Sequence, residues 1–369
     1  MAVSQVIVIV LAASAAPVWP SDCFAASLSL VVASDQQITN SVPAERTSSR
    51  TLDGTELIKI GDLHEVQNHL QEALPYYQRA LTTFRGKKDR QGEATALVRI
   101  ATVMERQDKH EEALKALETA IPLLAGLGQE SSEAGALLRF GRVSETLGRL
   151  AEAKIAYQRA GTLFQRAHDR QGHTEHLIRL GTLLITQDRV SEGLAMLETA
   201  LEDAGNRQDR GQQVTALTAI GDAFLRKEDA QTARAKYEEG LRLTEAQRDL
   251  RAEADVRNRL ARLFATADQH AEGVAMAQRA LALYQTLRDR PREADTFSLL
   301  GNFHQAQGNT ALAAESHERA LVLYRALRDR PREAASLVNL ATVYEAQGLP
   351  QEARENQHKA IFLLQQAIR

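Results

Sequence analysis

The stretch LYRALRDRPREAASLVNLATVYEAQG, from Leu323 to Gly348, decides the fold because an earlier part of the chain nearly repeats it. That earlier part, LYQTLRDRPREADTFSLLGNFHQAQG, runs from Leu283 to Gly308, so the two copies start 40 residues apart. A fixed offset of this size is typical of stacked helical repeats. Such an array grows by adding repeats, so a chain of 369 residues does not have to be divided into several globular domains.

The composition favours an all-α protein. Ala, Leu, Arg, Glu and Gln are abundant, aromatic residues make up 5% of the chain, and there are only 8 prolines. The 45 basic and 48 acidic residues are interleaved, which argues against a nucleic-acid-binding protein with a basic stripe. The single cysteine, Cys23, excludes an intramolecular disulfide and a metal site built from cysteines.

The 40-residue period continues through eight copies from Thr55 to the end of the chain. Small residues mark positions where helices approach closely, and they fall in columns that keep the same phase. One such column contains Gly61, Ala101, Gly141, Gly181, Gly221, Ala261, Gly301 and Ala341. In each copy two apolar stripes with helical spacing flank a break at Asn, Asp or Gly, so each copy is predicted to be a helix-turn-helix hairpin.

The joins between copies are predicted to be helix caps. An Asp in this position can accept hydrogen bonds from the first N–H groups of the next helix, and Pro291 and Pro331 fit in its first turn. The RDRPREA motif is therefore interpreted as a cap and not as a catalytic site. The Asp residues concerned are Asp89, Asp169, Asp209, Asp249, Asp289 and Asp329.

The pattern Leu57-x2-Ile60-Gly61-x2-His64, followed by Ala73-x3-Tyr77-x2-Ala80, resembles the tetratricopeptide repeat. Two features depart from the usual pattern: the Pro late in the second helix is absent, and the period is 40 instead of about 34. The longer period resembles the extended subclass found in kinesin light chains and in bacterial signalling proteins. The resemblance implies a right-handed α-solenoid of eight repeats. It also implies that the first helices line a concave face that binds a peptide.

By the same resemblance, two neighbouring columns of the first helices line the groove. In the first four repeats these columns combine an apolar residue with a basic one, which suits an extended peptide carrying carboxylates; the alternative is that the arginines are merely solvated or paired along their own helix. The predicted groove residues are Ile58, Lys59, Val98, Arg99, Leu138, Arg139, Arg142, Ile178 and Arg179.

Local sequence separates these cations. Glu175 precedes Arg179 by four residues and can form an intrahelical pair with it, and Asp255 stands in the same relation to Arg259. Arg99 and Arg139 have no acid three or four residues away on their own helix. They are therefore the preferred ligand-binding residues, with Arg142 beside them.

The N-terminal part of the chain has a different character. Val6 to Trp19 is apolar but too short to span a bilayer, so residues 1–26 suggest a signal peptide and export to the periplasm or the outside. No Lys or Arg precedes Arg46, so the alternative is a mis-assigned start of a cytoplasmic protein. Residues 27–54 are rich in Ser, Thr, Gln and Asn and are predicted to be a disordered linker before the solenoid of residues 55–369.

No catalytic or cofactor motif stands out. His168, His173 and His176 could at most bind a metal weakly and are interpreted as surface histidines, so no metal and no cofactor is predicted. The prediction is a non-catalytic scaffold for a protein or peptide segment, with no nucleic acid and no stable membrane span. The alternative is a ligand-responsive sensor module. Ile361 and Leu364 in the last repeat also suggest self-association through that end.

Overall fold

The computed structural model describes residues 52–367, in which sixteen α-helices follow one another. They form eight helical hairpins, numbered here one to eight, so the odd-numbered helices are the first helices and the even-numbered ones the second helices. The bounds are α1 Gly54–Val66, α2 Leu70–Gly86, α3 Arg90–Arg106, α4 His110–Gly126, α5 Glu130–Thr146, α6 Leu150–Arg166, α7 Arg170–Thr186, α8 Val190–Asn206, α9 Arg210–Arg226, α10 Ala230–Gln247, α11 Leu250–Thr266, α12 His270–Thr286, α13 Arg290–Ala306, α14 Thr310–Leu327, α15 Arg330–Ala346 and α16 Pro350–Ala367.

The predicted all-α solenoid of eight hairpins is confirmed. Each helix packs on the next, and neighbouring first helices also contact one another, as α1 and α3 or α7 and α9 do. The first helices therefore lie close together and form the inner layer of the array. The first helix begins at Gly54, with Asp53 as its cap, one residue inside the stretch predicted to be linker.

Turn chemistry explains the ends of the helices. The break residues predicted within the hairpins, such as Asn68, Asp108 and Gly148, all adopt the left-handed backbone conformation that Asn, Asp and Gly tolerate best. Hydrogen bonds then close the helix end, as from the Asn68 N–H to the carbonyl of Glu65 and from the His69 N–H to that of His64. The joins between hairpins adopt the same left-handed conformation, at Lys88 and at the equivalent positions of the later joins. A residue type such as lysine does not predict this conformation.

The predicted caps at the joins are confirmed. The carboxylate of Asp89 accepts a hydrogen bond from the N–H of Gly92 at 2.9 Å, and Asp329 accepts one from Arg332 at 3.1 Å. The same bond forms at the other four predicted Asp residues. Pro291 lies in the first turn of α13, where its missing N–H removes no helical hydrogen bond.

Small residues allow each hairpin to close over a large side chain. A Cβ atom at Gly61 would lie 2.5 Å from the ring of Tyr77, and one at Gly221 would lie 2.5 Å from that of Tyr237. Where the first helix has Ala101 instead, the partner on the second helix is Leu117, and both are buried. Glycine therefore occurs where a tyrosine or histidine ring faces the column; at Gly181 the nearest atom is instead the carbonyl oxygen of Gly193 on the second helix, 3.0 Å from a Cβ placed there.

The predictions for the first 51 residues, a signal peptide and a linker, lie outside the described residues. Within residues 52–367 no helix is both long and apolar enough to cross a bilayer. In hairpin eight, Ile361 is 53% and Leu364 46% exposed, whereas Tyr324, which occupies the position of Leu364 in hairpin seven, is buried. Self-association through this surface stays a prediction.

Candidate functional site

A cleft of about 390 Å³ opens between the first helices of hairpins two and three. Val98 and Arg99 of α3 line one side, and Leu138 and Arg139 of α5 line the other. Glu175 of α7 also contributes to its wall. Four of the predicted groove residues thus come together around one cavity, which is called the α3/α5 cleft below.

The apolar column is less accessible than predicted. Ile58, Leu138 and Ile178 are only 8%, 7% and 4% exposed, so they are core residues, and Val98 alone of these four is half-buried. Ile58 and Leu138 pack into one hydrophobic core cluster and Ile178 into another. The prediction that these side chains form an open apolar groove surface is therefore wrong for three of the four, although Leu138 still lines the α3/α5 cleft.

The two preferred arginines are not without partners. Arg99 Nε lies 3.2 Å from Asp62 Oδ1, and Arg139 Nη1 lies 3.5 Å from Glu105 Oε2. Glu105 also binds Arg142, with Nε to Oε1 at 2.7 Å and Nη2 to Oε2 at 2.8 Å. The acids come from the preceding hairpin, so a search of the same helix could not find them. The lack of an acid on their own helix therefore does not leave Arg99 and Arg139 without a partner.

The two predicted intrahelical pairs have different outcomes. Arg179 and Glu175 do approach, with Nη2 and Oε1 3.8 Å apart, and this prediction is confirmed. The pairing of Arg259 with Asp255 is wrong, because Arg259 Nε lies 3.2 Å from Asp222 Oδ1 of the preceding hairpin. An acid and an arginine 37 residues apart thus face each other across neighbouring first helices.

The remaining predicted groove residues lie elsewhere. Ile58 and Lys59 are on α1, and Ile178 and Arg179 are on α7, and none of the four lines the α3/α5 cleft. Lys59 is exposed, while Arg142 reaches the cleft only through the carboxylate of Glu105 that it shares with Arg139. Of the predicted set, Val98, Arg99, Leu138 and Arg139 are the residues that line the α3/α5 cleft.

The electrostatics of the cleft follow from this sharing. Burial lowers the pKa of the Arg139 guanidinium, and the charge of Arg142 beside it lowers the pKa further. Burial also lowers the pKa of Arg142, but its hydrogen bonds with Glu105 outweigh that effect, so its net pKa is raised. One carboxylate, that of Glu105, thus binds two cations beside the cleft.

Of the three histidines predicted to lie at the surface, His168 is exposed and His173 is half-buried, but His176 is buried. His173 Nε2 lies 3.0 Å from the side-chain amide of Gln165. A Cβ atom at Gly161 would lie 2.4 Å from the ring of His176. Gly161 leaves room for this ring, since the same column has Leu or Ile in other hairpins. In residues 52–367 no group of three or more His, Cys, Asp and Glu side chains could hold a metal ion.

Buried histidines predict sensitivity to acid. Burial lowers the pKa of His317 to about 4, and burial together with the neighbouring His173 lowers that of His176 to about 4. A histidine of the unfolded chain titrates near pH 6.5, so the unfolded state binds more protons between these values. The free energy of unfolding is expected to be highest above pH 6.5 and to fall by about 3 kcal/mol per histidine towards pH 4. Urea unfolding followed by circular dichroism across this range measures it.

The control for this pH dependence is His317→Leu. Leu197 occupies the same position in hairpin four and packs over Gly181 as His317 packs over Gly301, so the substitution follows a solution that the chain already uses. It is expected to remove the share of the pH dependence that His317 contributes. An unchanged slope between pH 7 and pH 5 in this variant would contradict the assignment.

Two family models described as tetratricopeptide repeat match the chain, one at residues 55–125 and 292–366 and the other at residues 178–248. No curated protein sequence matches it. Among solved structures, the chain is similar to the apo form of the quorum sensor NprR from B. thuringiensis, at 15% identity and a TM-score of 0.64, over 91% of this chain and 94% of that one.

Two further structures share the fold. A Rap protein complexed with competence and sporulation factor is 12% identical, with a TM-score of 0.62 over 92% of this chain and 93% of that one. The Rap conjugation gene regulator of plasmid pLS20, in complex with the Phr* peptide, is also 12% identical, with a TM-score of 0.59 over 85% of this chain and 95% of that one. At these identities the similarity establishes the fold alone.

Proposed function

Because the chain belongs to the tetratricopeptide repeat family, we propose that it is an interaction scaffold that binds an extended, acidic peptide segment along its inner surface. The observation that supports this most directly is the α3/α5 cleft, where Arg99 and Arg139 flank half-buried Val98. Two of the similar structures are Rap proteins, one in complex with the Phr* peptide and the other with competence and sporulation factor. The function requires no catalytic residue.

The ion pairs of the unbound protein do not block such binding. Arg99 and Asp62 are 42% and 35% exposed at their side chains, and a pair this exposed contributes only about 0.2–1 kcal/mol. A peptide carboxylate can replace Asp62 as the partner of Arg99 at little cost. Micromolar affinity requires about 8 kcal/mol, so contacts with the backbone and with Val98 have to supply most of it.

The second candidate function is a sensor whose shape responds to the ligand. The pairs Asp62–Arg99 and Glu105–Arg139 join neighbouring first helices, so a ligand that takes over the arginines also removes links between hairpins one, two and three. A scaffold is expected to keep its dimensions on binding. Small-angle scattering with and without the peptide separates the two candidates, since a sensor would change its radius of gyration.

The direct test is the double variant Arg99→Ala with Arg139→Ala. Affinity for a fluorescent peptide of alternating Glu and Leu is expected to fall at least about tenfold, because hydrogen bonds with charged groups contribute about 1.5–3 kcal/mol each. The salt dependence of binding should weaken as well. Fluorescence anisotropy at two salt concentrations measures both effects.

A matched control keeps the same change in net charge. Arg234 and Arg319 lie on second helices, where each forms an exposed pair with a glutamate four residues away, so Arg234→Ala with Arg319→Ala should leave the affinity within about twofold. A peptide with Gln in place of Glu should not distinguish the wild type from Arg99→Ala with Arg139→Ala. Equal affinity of all three proteins for the acidic peptide would refute the proposed site.

A further inference from the structure

Hairpin one exposes an apolar side chain whose equivalents are buried in every other hairpin. Leu63 of α1 is 65% exposed. The residues at the same position of the other seven hairpins are at most 2% exposed; they are Val103, Val143, Leu183, Ala223, Leu263, Phe303 and Val343. A single exposed leucine is common on protein surfaces, but one that departs from seven buried copies of its position indicates a contact surface without its neighbour.

The outward side of hairpin eight shows the same departure. Leu364 of α16 is 46% exposed, and Ile361, one turn earlier, is 53% exposed. Within residues 52–367 no further hairpin covers the outward side of hairpin one or of hairpin eight. The residues at the position of Leu364 in the other seven hairpins are at most 7% exposed; they are Phe84, Leu124, Phe164, Ala204, Thr244, Tyr284 and Tyr324.

The packing inside the array shows what these two positions contact. The second helix of each hairpin packs on the first helix of the next one. A Cβ atom at Gly273 of α12 would lie 2.3 Å from the ring of Phe303, which holds the position of Leu63 in hairpin seven. A Cβ atom at Gly92, in the first turn of α3, would lie 2.2 Å from the ring of Phe84 on α2. The positions of Leu63 and Leu364 are therefore the ones that join consecutive hairpins.

Charged groups of the two ends are complementary in the same register. Between hairpins two and three, Arg139 Nη1 lies 3.5 Å from Glu105 Oε2. Lys59 of hairpin one holds the position of Arg139, and Glu345 of hairpin eight holds that of Glu105; both are exposed. Asp62, three residues after Lys59, has its charge balanced by an arginine of hairpin two. Stacking of hairpin one on hairpin eight would thus place a lysine opposite a glutamate.

A second polar pair follows from the same comparison. Between hairpins six and seven, Gln285 Nε2 donates a hydrogen bond to Glu293 Oε1 at 3.2 Å. Gln365 of hairpin eight holds the position of Gln285, and Asp53, the cap of α1, holds that of Glu293. The two ends therefore carry a donor and an acceptor where consecutive hairpins of the array use them.

We propose that the outward side of hairpin eight binds the outward side of hairpin one of a second copy of this chain, so that the copies continue the array head to tail. Leu364 and Ile361 of one copy then cover the start of α1 of the other, and Leu63 becomes buried against α16. Because the contact joins two different surfaces, each pair keeps a free surface at either end and further copies can add. This interaction is independent of the proposed scaffold function, since neither end lines the α3/α5 cleft.

The test places a charge on one surface at a time and measures the mass of the full chain by analytical ultracentrifugation. The weight-average mass of the wild type is expected to rise with concentration beyond that of a dimer. Leu63→Glu and Leu364→Glu should each weaken self-association at least about tenfold, because each removes the burial of a leucine. An equimolar mixture of the two variants should form a dimer and nothing larger, because one compatible pair of surfaces remains.

The matched control is Ile155→Glu. Ile155 of α6 is 66% exposed, much as Leu63 is, but it lies in hairpin three, away from both ends. This variant carries the same added charge and should associate as the wild type does. Circular dichroism melting of each variant shows that it is folded.

A charge reversal tests the register of the contact. Lys59→Glu is expected to weaken self-association by up to about fivefold, the effect of one exposed ion pair. Lys59→Glu with Glu345→Lys in the same chain should restore the wild-type association, because the two charges exchange places. Weaker association of this double variant than of Lys59→Glu alone would contradict the proposed register.

The remaining outcomes are equally decisive. A wild type that stays monomeric at high micromolar concentration overturns the proposal, and a lower melting temperature of Leu63→Glu would then indicate that another part of the same chain covers Leu63. If Leu63→Glu associates as the wild type does, two copies of hairpin eight pair with each other and the head-to-tail contact is refuted. An equal loss in Ile155→Glu would mean that the association is not specific to the ends, which also overturns the proposal.

Discussion

Gly141→Ala is expected to destabilise the protein by about 1–3 kcal/mol, although alanine is the better helix former. A Cβ atom at this position would lie 2.4 Å from Cε1 and 2.6 Å from Cδ1 of Tyr157. The ring cannot move aside, because Tyr157 is fully buried and its hydroxyl donates a hydrogen bond to Glu145. Chemical unfolding monitored by circular dichroism gives the change in free energy.

The same helix provides the control. Gly135 of α5 is exposed, and a Cβ there would meet nothing within 4 Å, so Gly135→Ala should stabilise the protein by about 0.5–1 kcal/mol through helix propensity. The double variant Gly141→Ala with Tyr157→Leu reproduces the Ala101 and Leu117 pair of hairpin two. It should be more stable than the sum of its single variants predicts. Additive effects would contradict size matching between the two columns.

This size matching marks how far the fold could be predicted from sequence. The column of Gly61, Gly141 and their equivalents predicts close helix contacts, and the Asn, Asp and Gly breaks predict the turns, because these effects act within a few residues or repeat eight times. The reason for Gly at one copy and Ala at another was not visible. It depends on which second-helix residue faces the column, and that is fixed only when the hairpin is packed.

The candidate site was harder to predict, since its contacts cross between hairpins. Intrahelical spacing correctly paired Arg179 with Glu175, but Arg99 and Arg139 are bound by Asp62 and Glu105 of the preceding hairpins. For Arg99 the signal was available as an offset of 37 residues, one repeat less about one helical turn. To predict the ion pair from this offset, one has to know how far one first helix is shifted along the next. The 40-residue period does not specify that shift.

One column of the repeat shows what the periodicity predicts and what it does not predict. Its members are Leu57, Leu97, Leu137, Leu177, Leu217, Arg257, Phe297 and Leu337. The pattern predicts a buried position in every hairpin, and Arg257 is indeed buried, with only 5% of its side chain exposed. The packing shows how the charge is accommodated: Nη2 lies 2.6 Å from Glu245 Oε1, and Nε lies 2.8 Å from Glu253 Oε1.

Arg257→Ala is therefore expected to cost about 3–5 kcal/mol, because it leaves the largely buried Glu253 without its partner and opens a cavity in a packed position. Arg257→Leu should cost less, since leucine, the residue of six other hairpins, fills the cavity and leaves only the loss of the partner of Glu253. Arg251→Ala serves as the exposed control; it removes the pair with Asp289 and should change the free energy of unfolding by at most about 1 kcal/mol. Urea unfolding of the three variants separates the contribution of the ion pairs from that of packing. Equal losses of free energy of unfolding for Arg257→Ala and Arg257→Leu would mean that the ion pairs of Arg257 dominate its contribution to stability.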